Sequence, residues 1–407
     1  MGKIVKMVMV TASNNNKYYF MFEQNDGTFN VEYGRVDSTK QHASYPMSKW
    51  SLKYNEKIKK GYKDITELYT INENTDKKNS GETFISNDTF VKQLIEDLRN
   101  WANQTIASNY KVSTSNVTKK MVDEAQLIID ELSKAYRSNY TVDDLNELLL
   151  KLFTVIPRKM GNVRDYMVNT NNSNDSIGRL ISDEQSILDA LAGQVAMQEP
   201  EKNSSEEDTI KTTSLLESMG VEVKHVTDLD TVSKVKKLMG DSSNLFYRLY
   251  EVVNKKTEKR YNECMSKMSI KKEELLWHGS RNQNWWSIAL QTGMLIRPSG
   301  VILTGSMYGN GAYFSSKCRK SIGYTSLSGS YWAGGNATKS YLALFKVNVG
   351  NKKIVTKHDS SCYSFDKNNI LPYNSVHAPA GVDLKNDETI VYDIAQCTIK
   401  YLIEIKK

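Results

Sequence analysis

The chain has little cysteine: Cys264, Cys318, Cys362 and Cys397 are the only four in 407 residues, and no two of them form a CxxC pair. That excludes a zinc finger or a disulfide framework as the organising device and leads us to expect a reducing, intracellular compartment. No run of eighteen apolar residues occurs, so no membrane span is expected. The N-terminus, Met1-Gly2-Lys3-Ile4-Val5-Lys6, lacks a signal-peptide layout, and Lys6 stands where N-myristoylation wants Ser or Thr. Neither sign of charge dominates: 54 Lys and Arg face 47 Asp and Glu, a net of +7 that suits a soluble basic protein as well as a nucleic-acid binder. Gly305, Gly309 and Gly311 do not sit in a strand-GxGxxG-helix unit, which rules out a Rossmann dinucleotide fold. The length leaves room for two or three domains.

What is present divides into three segments. In residues 1–80, Tyr18 to Phe22 reads as a strand, Gln24-Asn25-Asp26-Gly27 as a hairpin turn, and Phe29 to Val36 as the returning strand. Met47 to Lys60 reads as a helix, with Trp50, Tyr54 and Ile58 on one side and Lys49, Lys53, Lys57 and Lys60 along one face. Residues 1–63 hold eleven Lys or Arg against five Asp or Glu. That face is either solvated surface or a phosphate-contacting patch. Residues 72–83 are polar and aperiodic, as a linker is.

Residues 84–200 repeat apolar positions at helical spacing. The first stripe is Phe90, Leu94, Leu98 and Trp101, and the second runs from Met121 to Leu132. A third runs from Leu145 to Phe153, closed by Ile156-Pro157, and a last helix covers about Glu184 to Ala196. An all-helical bundle is expected, with the stripes serving as core rather than as a ligand site. Glu199 to Asp208 is polar and acidic, a loop between subdomains.

Residues 214–407 are richer in strands: Val221 to Val226, Leu245 to Val253, Ala312 to Phe314, Tyr341 to Val349, Ile390 to Ile394 and Thr398 to Ile405. A mixed, mainly antiparallel split sheet is expected, with a short helix from Ser316 to Tyr324. Leu275-Leu276-Trp277-His278-Gly279-Ser280-Arg281 reads as a buried strand that ends in polar groups able to meet a ligand. His278 is the only one of five histidines set between such a strand and a glycine. Glu388 leads straight into the apolar Ile390-Val391, an unusual place for a carboxylate unless it faces a polar site.

Taken together, Trp277 to Arg281, the run Gly309-Asn310-Gly311-Ala312-Tyr313-Phe314, Lys320-Ser321-Ile322-Gly323-Tyr324 and Glu388 through Ala395 resemble the catalytic signature of the poly(ADP-ribose) polymerase family. Glu32-Tyr33-Gly34-Arg35-Val36 resembles the WGR module that accompanies many of its members, with Tyr33 in the tryptophan's place. The resemblance implies a multidomain α+β protein. Its parts would be a small WGR-like mixed sheet that binds DNA (1–80), a helical regulatory subdomain that restrains NAD access (84–200), and an ADP-ribosyltransferase domain (214–407).

The same resemblance assigns residues. His278, Tyr313 and Glu388 would be catalytic. His278 would bond a ribose hydroxyl, and Glu388 would bond the 2′-hydroxyl of the nicotinamide ribose and steady the charge that grows as nicotinamide leaves. Gly279 would offer N–H and C=O to the nicotinamide amide, which needs an acceptor and a donor, and Ser321 would complete that clamp. Tyr313 and Tyr324 would sandwich the ring. Ser280 and Lys320 would also bind NAD, and Arg297 would stand in for the family's adenosine-side arginine, which aligns with Leu295. Met307 would meet the acceptor. Tyr33, Arg35 and Lys57 would contact DNA.

No metal is called for, because nicotinamide departs neutral, and NAD+ is a substrate rather than a bound cofactor. The expected partners are NAD+, DNA breaks or ends, and acceptor proteins including the chain itself, with no membrane. The expected location is the nucleus in a eukaryote, or the cytoplasm or nucleoid in a bacterium. Glutamate at position 388 marks polymer-forming members, so poly(ADP-ribosyl)ation is expected. Mono-ADP-ribosyl transfer and a DNA-end scaffold with weak activity remain the alternatives.

Overall fold

The computed structural model describes residues 2–36, 38–69, 85–109, 117–137, 141–196, 215–291, 293–294 and 307–407. The linker expected at 72–83, the acidic loop at 199–208, and Leu295 and Arg297 lie outside the described residues. Contacts divide the chain into two compact units: residues 1–79 with 104–199, and residues 80–103 with 200–407.

The first unit opens with strands β1 (Ile4–Thr11), β2 (Asn15–Glu23) and β3 (Thr28–Arg35). The expected hairpin turn forms between β2 and β3, with Gly27 at φ 77°, a conformation that costs glycine nothing. β4 (Gln41–Pro46) and β5 (Lys63–Asp64) complete a sheet of order β4-β3-β2-β1-β5. Every pairing in it is antiparallel, where a mixed sheet is expected. Gly61, at φ 88°, reverses the chain after helix α1 (Trp50–Lys59), so β5 returns against β1. Met7, Tyr19, Met21, Phe29 and Val31 pack one face of the sheet and Val8, Tyr18, Val36 and Ile65 the other.

Helix α2 (Thr89–Asn109) is followed by α3 (Lys119–Arg137), α4 (Val142–Val155) and α5 (Asn174–Ala196). α4 begins at a reciprocal cap between Thr141 and Asp144, and α3 packs on both α4 and α5. α5 starts ten residues earlier than its apolar stripe shows. A buried ion pair, Arg158 to Glu184 at 2.5 Å, ties the segment after α4 to α5. The first part of α2 belongs to the other unit. Val91, Leu94, Ile95, Leu98 and Ala102 are buried in one core with Tyr250, Tyr341 and Leu402.

The second unit continues through α6 (Leu215–Ser218), β6 (Val221–His225), α7 (Leu229–Met239), β7 (Phe246–Asn254), α8 (Lys255–Lys267), β8 (Glu273–Gly279) and α9 (Trp285–Leu290). Next come β9 (Ala312–Phe314), α10 (Cys318–Ile322), β10 (Lys339–Asn348), β11 (Lys352–Ile354), β12 (Ser375–Ala378), β13 (Glu388–Val391) and β14 (Cys397–Lys406). They form two sheets, β6-β7-β14-β10-β8 and β11-β12-β13-β9, antiparallel throughout except for β11 with β12. The expected helix from Ser316 to Tyr324 is only Cys318–Ile322. The Ser316 backbone N–H is taken by Asp387, and Gly323 and Tyr324 close the helix as a turn. The split is bridged by paired backbone bonds between Trp277 and Ser315 at 2.8 and 3.0 Å, which set the end of β8 beside the end of β9.

Candidate active site

β8 enters the core through Leu276 and Trp277, both buried, and its last residues emerge at the sheet edge. The His278 ring sits among Phe314, Phe345 and Trp285, with centroids 5.8, 5.9 and 6.1 Å away. Its Nδ1 lies 2.9 Å from the Tyr313 carbonyl. A carbonyl only accepts, so Nδ1 carries the proton and the neutral ring keeps Nε2 as an acceptor. Burial pushes the His278 pKa below its ordinary value, and that hydrogen bond opposes the shift.

Gly279 is required by close approach. A Cβ there would lie 1.8 Å from the carbonyl oxygen of Ser321, so the backbone of Gly279 and buried Ser321 of α10 are in direct contact. The Ser280 hydroxyl accepts from the Asn284 amide at 3.0 Å. Tyr313, on β9, has its phenol fixed at both ends of its bonding capacity: it accepts from the Tyr308 N–H at 3.0 Å and donates to the Gly309 carbonyl at 2.7 Å. Its pKa is raised by burial first, and then by neighbouring acidic groups that include Glu388. Tyr324 follows α10 and is raised for the same two reasons, burial and Glu388.

Glu388 opens β13 and is buried at 5% exposure. One carboxylate oxygen accepts from Lys320 of α10 at 2.5 Å. The other, Oε2, is buried with no partner among the described residues. A buried carboxylate oxygen left without a donor is costly unless something else supplies one. Burial raises the Glu388 pKa, the Lys320 ammonium opposes that, and Asp387 adds to the rise. Lys320 also donates to the Asn386 carbonyl at 3.3 Å, so it spans the turn into β13.

The structure thus brings together His278, Gly279, Tyr313, Lys320, Ser321, Tyr324 and Glu388 from four separate elements. Met307 is half-buried nearby, and its carbonyl oxygen lies 2.9 Å from His358 Nε2. Sequence reasoning passed over His358, and it also passed over Asp387. Asp387 accepts from the Ser316 N–H at 3.0 Å, the Ser316 hydroxyl at 2.7 Å and the Ser315 hydroxyl at 3.3 Å, locking the end of β9 to the start of β13 beside Glu388. A second acid directly before Glu388 was the available signal. A cavity of about 410 Å³ is lined by Leu276, Ser316, His377, Lys385, Asp387 and Thr389 among others, and Glu388 does not line it. Among the described residues no group of three or more His, Cys, Asp or Glu is placed to hold a metal ion, and no helix is long and apolar enough to cross a membrane.

The residues expected to meet DNA are placed differently. The Arg35 guanidinium donates to the Asn14 carbonyl (2.7 Å), Asn14 Oδ1 (2.8 Å), the Gly161 carbonyl (2.9 Å) and the Met160 carbonyl (3.4 Å). Lys57 lies over the Tyr19 ring at 4.1 Å, and burial lowers its pKa. Tyr33 packs on Tyr19 with ring centroids 5.9 Å apart. Lys53 and Lys60 both pair with Glu56, so the lysine face of α1 is not the free basic stripe that spacing suggests.

The chain is similar to known sequences. The profile of the poly(ADP-ribose) polymerase catalytic domain matches residues 228–407. Two proteins of Invertebrate iridescent virus 6 are similar. The uncharacterized protein 101L is 35% identical over 47% of this chain and 76% of its own length. The 100L protein, named as poly(ADP-ribose) polymerase-like, is 36% identical over 40% of this chain and 88% of its own. Poly(ADP-ribose) polymerase 1 of Danio rerio is 24% identical over 73% of this chain, which spans 31% of that protein.

Proposed function

The chain belongs to the poly(ADP-ribose) polymerase family and is an NAD+-dependent ADP-ribosyltransferase; from that premise we propose that it extends ADP-ribose into polymer on acceptor proteins, itself included, and that DNA breaks stimulate it. The observation that carries the polymer reading is Glu388, buried, with one oxygen on Lys320 and the other without a donor. A ribose hydroxyl of NAD+ is the group that would satisfy Oε2.

In the reaction the bond from the anomeric carbon to the nicotinamide nitrogen breaks, and nicotinamide leaves with the bonding pair as a neutral molecule. Positive charge develops on the sugar, and a preorganised carboxylate in a buried site stabilises it. The acceptor hydroxyl then bonds that carbon, and its proton passes to the Glu388 carboxylate or to solvent. His278 Nε2, held as an acceptor by the Nδ1 bond, takes a second ribose hydroxyl. The Gly279 backbone and the Ser321 hydroxyl hold the nicotinamide amide, with Tyr313 and Tyr324 against its ring. Lys320 orients Glu388, Ser280 supports the end of β8, and the Met307 loop, fixed through His358, receives the acceptor. Arg297, outside the described residues, is assigned to the adenosine side.

DNA stimulation rests on the basic excess of residues 1–63. Arg35 would reach a phosphate only by giving up its bonds to Asn14 and residues 160–161, so Tyr33, Arg35 and Lys57 are proposed as DNA contacts that exchange internal partners for DNA. A nuclear or nucleoid location follows from that partner. Incubating the chain with labelled NAD+, with and without nicked DNA, tests both readings. A ladder of products that intensifies with DNA is expected. A single discrete adduct would replace polymer synthesis with mono-ADP-ribosyl transfer, and equal label without DNA would remove the DNA reading.

A further inference from the structure

Two large aromatics stand exposed close to the site. Tyr331 is 81% and Trp332 57% accessible, although the loop that carries them is well tied down. The Trp332 and Ala333 N–H groups both donate to the Gly323 carbonyl, at 2.9 and 3.1 Å. Gly334 donates to the Ser330 carbonyl and Gly335 to the Ser330 hydroxyl, and Ser326 and Ser328 bond Ala337. The loop is therefore pinned to the residue just before Tyr324. The Trp332 indole lies near-parallel to the Tyr324 ring, with centroids 6.1 Å apart and planes 17° off. Its Cδ1 is 3.1 Å from where a Gly323 Cβ would stand, so a side chain at 323 would push the indole away. Tyr331 meets Trp332 edge-on at 4.7 Å and props it from the solvent side.

The two site tyrosines are held in different ways. Tyr313 has its ring plane fixed by two hydrogen bonds through its phenol. The Tyr324 phenol makes no hydrogen bond among the described residues, and its ring contact there is Trp332. An aromatic ring without a bonded hydroxyl is free to swing unless packing holds it, and an offset stack supplies that restraint.

We propose that Trp332 is a positioning residue for the nicotinamide: it holds the plane of Tyr324, against which the pyridine ring of NAD+ stacks. This rests on the stacking role given to Tyr324 above. Full-length protein carrying Trp332→Ala, Trp332→Phe or Tyr324→Ala would be assayed for NAD+ KM and kcat and for inhibition by free nicotinamide. With Trp332→Ala, KM and the nicotinamide inhibition constant should both rise, about 3- to 10-fold as for loss of an aromatic pair, with kcat nearly unchanged. Trp332→Phe should restore both. A fall in kcat alone, the signature of a loop that merely helps the protein fold, would overturn the proposal. So would an unmoved inhibition constant in Trp332→Ala beside a raised one in Tyr324→Ala. If Tyr324→Ala also leaves both constants unchanged, the stacking reading itself falls and this proposal with it.

Discussion

At Glu388 burial and an ammonium act in opposite directions. Burial raises the carboxyl pKa, Lys320 at 2.5 Å lowers it, and burial is the larger. With Glu388 acting as a carboxylate, as proposed, turnover should fall on acidification at a higher pH than a solvent-exposed glutamate would impose. Lys320→Met removes the lowering partner and should move that acid limb to still higher pH, which a pH–rate profile reads directly. A limb that stays put would mean the ion pair does not control ionisation. Glu388→Gln keeps the shape but loses the charge, and turnover should drop by about 10²- to 10³-fold with nicotinamide binding retained. Long chains from that variant would remove Glu388 from elongation. Gly279→Ala carries a methyl into the Ser321 carbonyl, so the end of β8 must shift away from α10. Nicotinamide affinity, measured by titration, should fall far more than for a surface Gly→Ala change.

Helix α2 was legible as an amphipathic stripe, yet its packing partner was not. Phe90, Leu94 and Leu98 announce a helix with one buried face, and periodicity says nothing about which surface receives it. In the fold that surface is the first strand layer of the catalytic unit. The Tyr250 hydroxyl donates to the Phe90 carbonyl at 3.4 Å, Trp101 meets Tyr341 edge-on, and Lys339 pairs with Asp97 at 2.5 Å. Leu98 is fully buried there. Leu98→Ala should destabilise the catalytic unit by about 2–5 kcal/mol, seen as a lowered denaturation midpoint. A loss below about 0.5 kcal/mol, the range of surface substitutions, would place α2 outside that core. The α10 boundaries show a different limit. Spacing alone cannot place its first residue: Lys317 is extended, at φ −104° and ψ 113°, so the helix begins at Cys318.

For the whole molecule, the two-unit division changes how regulation is tested. Removing residues 84–200 would also strip the catalytic unit of its α2 core, so loss of activity would say nothing about restraint. Excising 104–199 and keeping 85–103 leaves that core intact. If the helical segment restrains NAD+ access, this form should show higher turnover without DNA than the full chain. Equal or lower turnover would argue against restraint. Arg35→Ala should destabilise the first unit, because the Asn14, Met160 and Gly161 carbonyls lose the Arg35 donor and Asn14 Oδ1 keeps only the Val163 N–H, and it should weaken DNA stimulation only if the guanidinium exchanges partners.

The sequence by itself determined the strand and helix periodicities, the hairpin at Gln24–Gly27 and the residue types available to the site. These are local: alternation, capping, and residue types whose functional groups are fixed by covalent structure. His278, Tyr313 and Glu388 could be named because the motifs around them resemble the catalytic signature of the family. Tertiary structure alone decided that Nδ1 of His278 is tied to Tyr313, that one oxygen of Glu388 is left without a donor, and that Arg35 is engaged within the first unit. It alone also decided that Trp332 stacks on Tyr324 and that half of α2 serves the catalytic core. Each of these depends on groups distant in sequence meeting within hydrogen-bonding or van der Waals range, and no one-dimensional pattern records such an encounter.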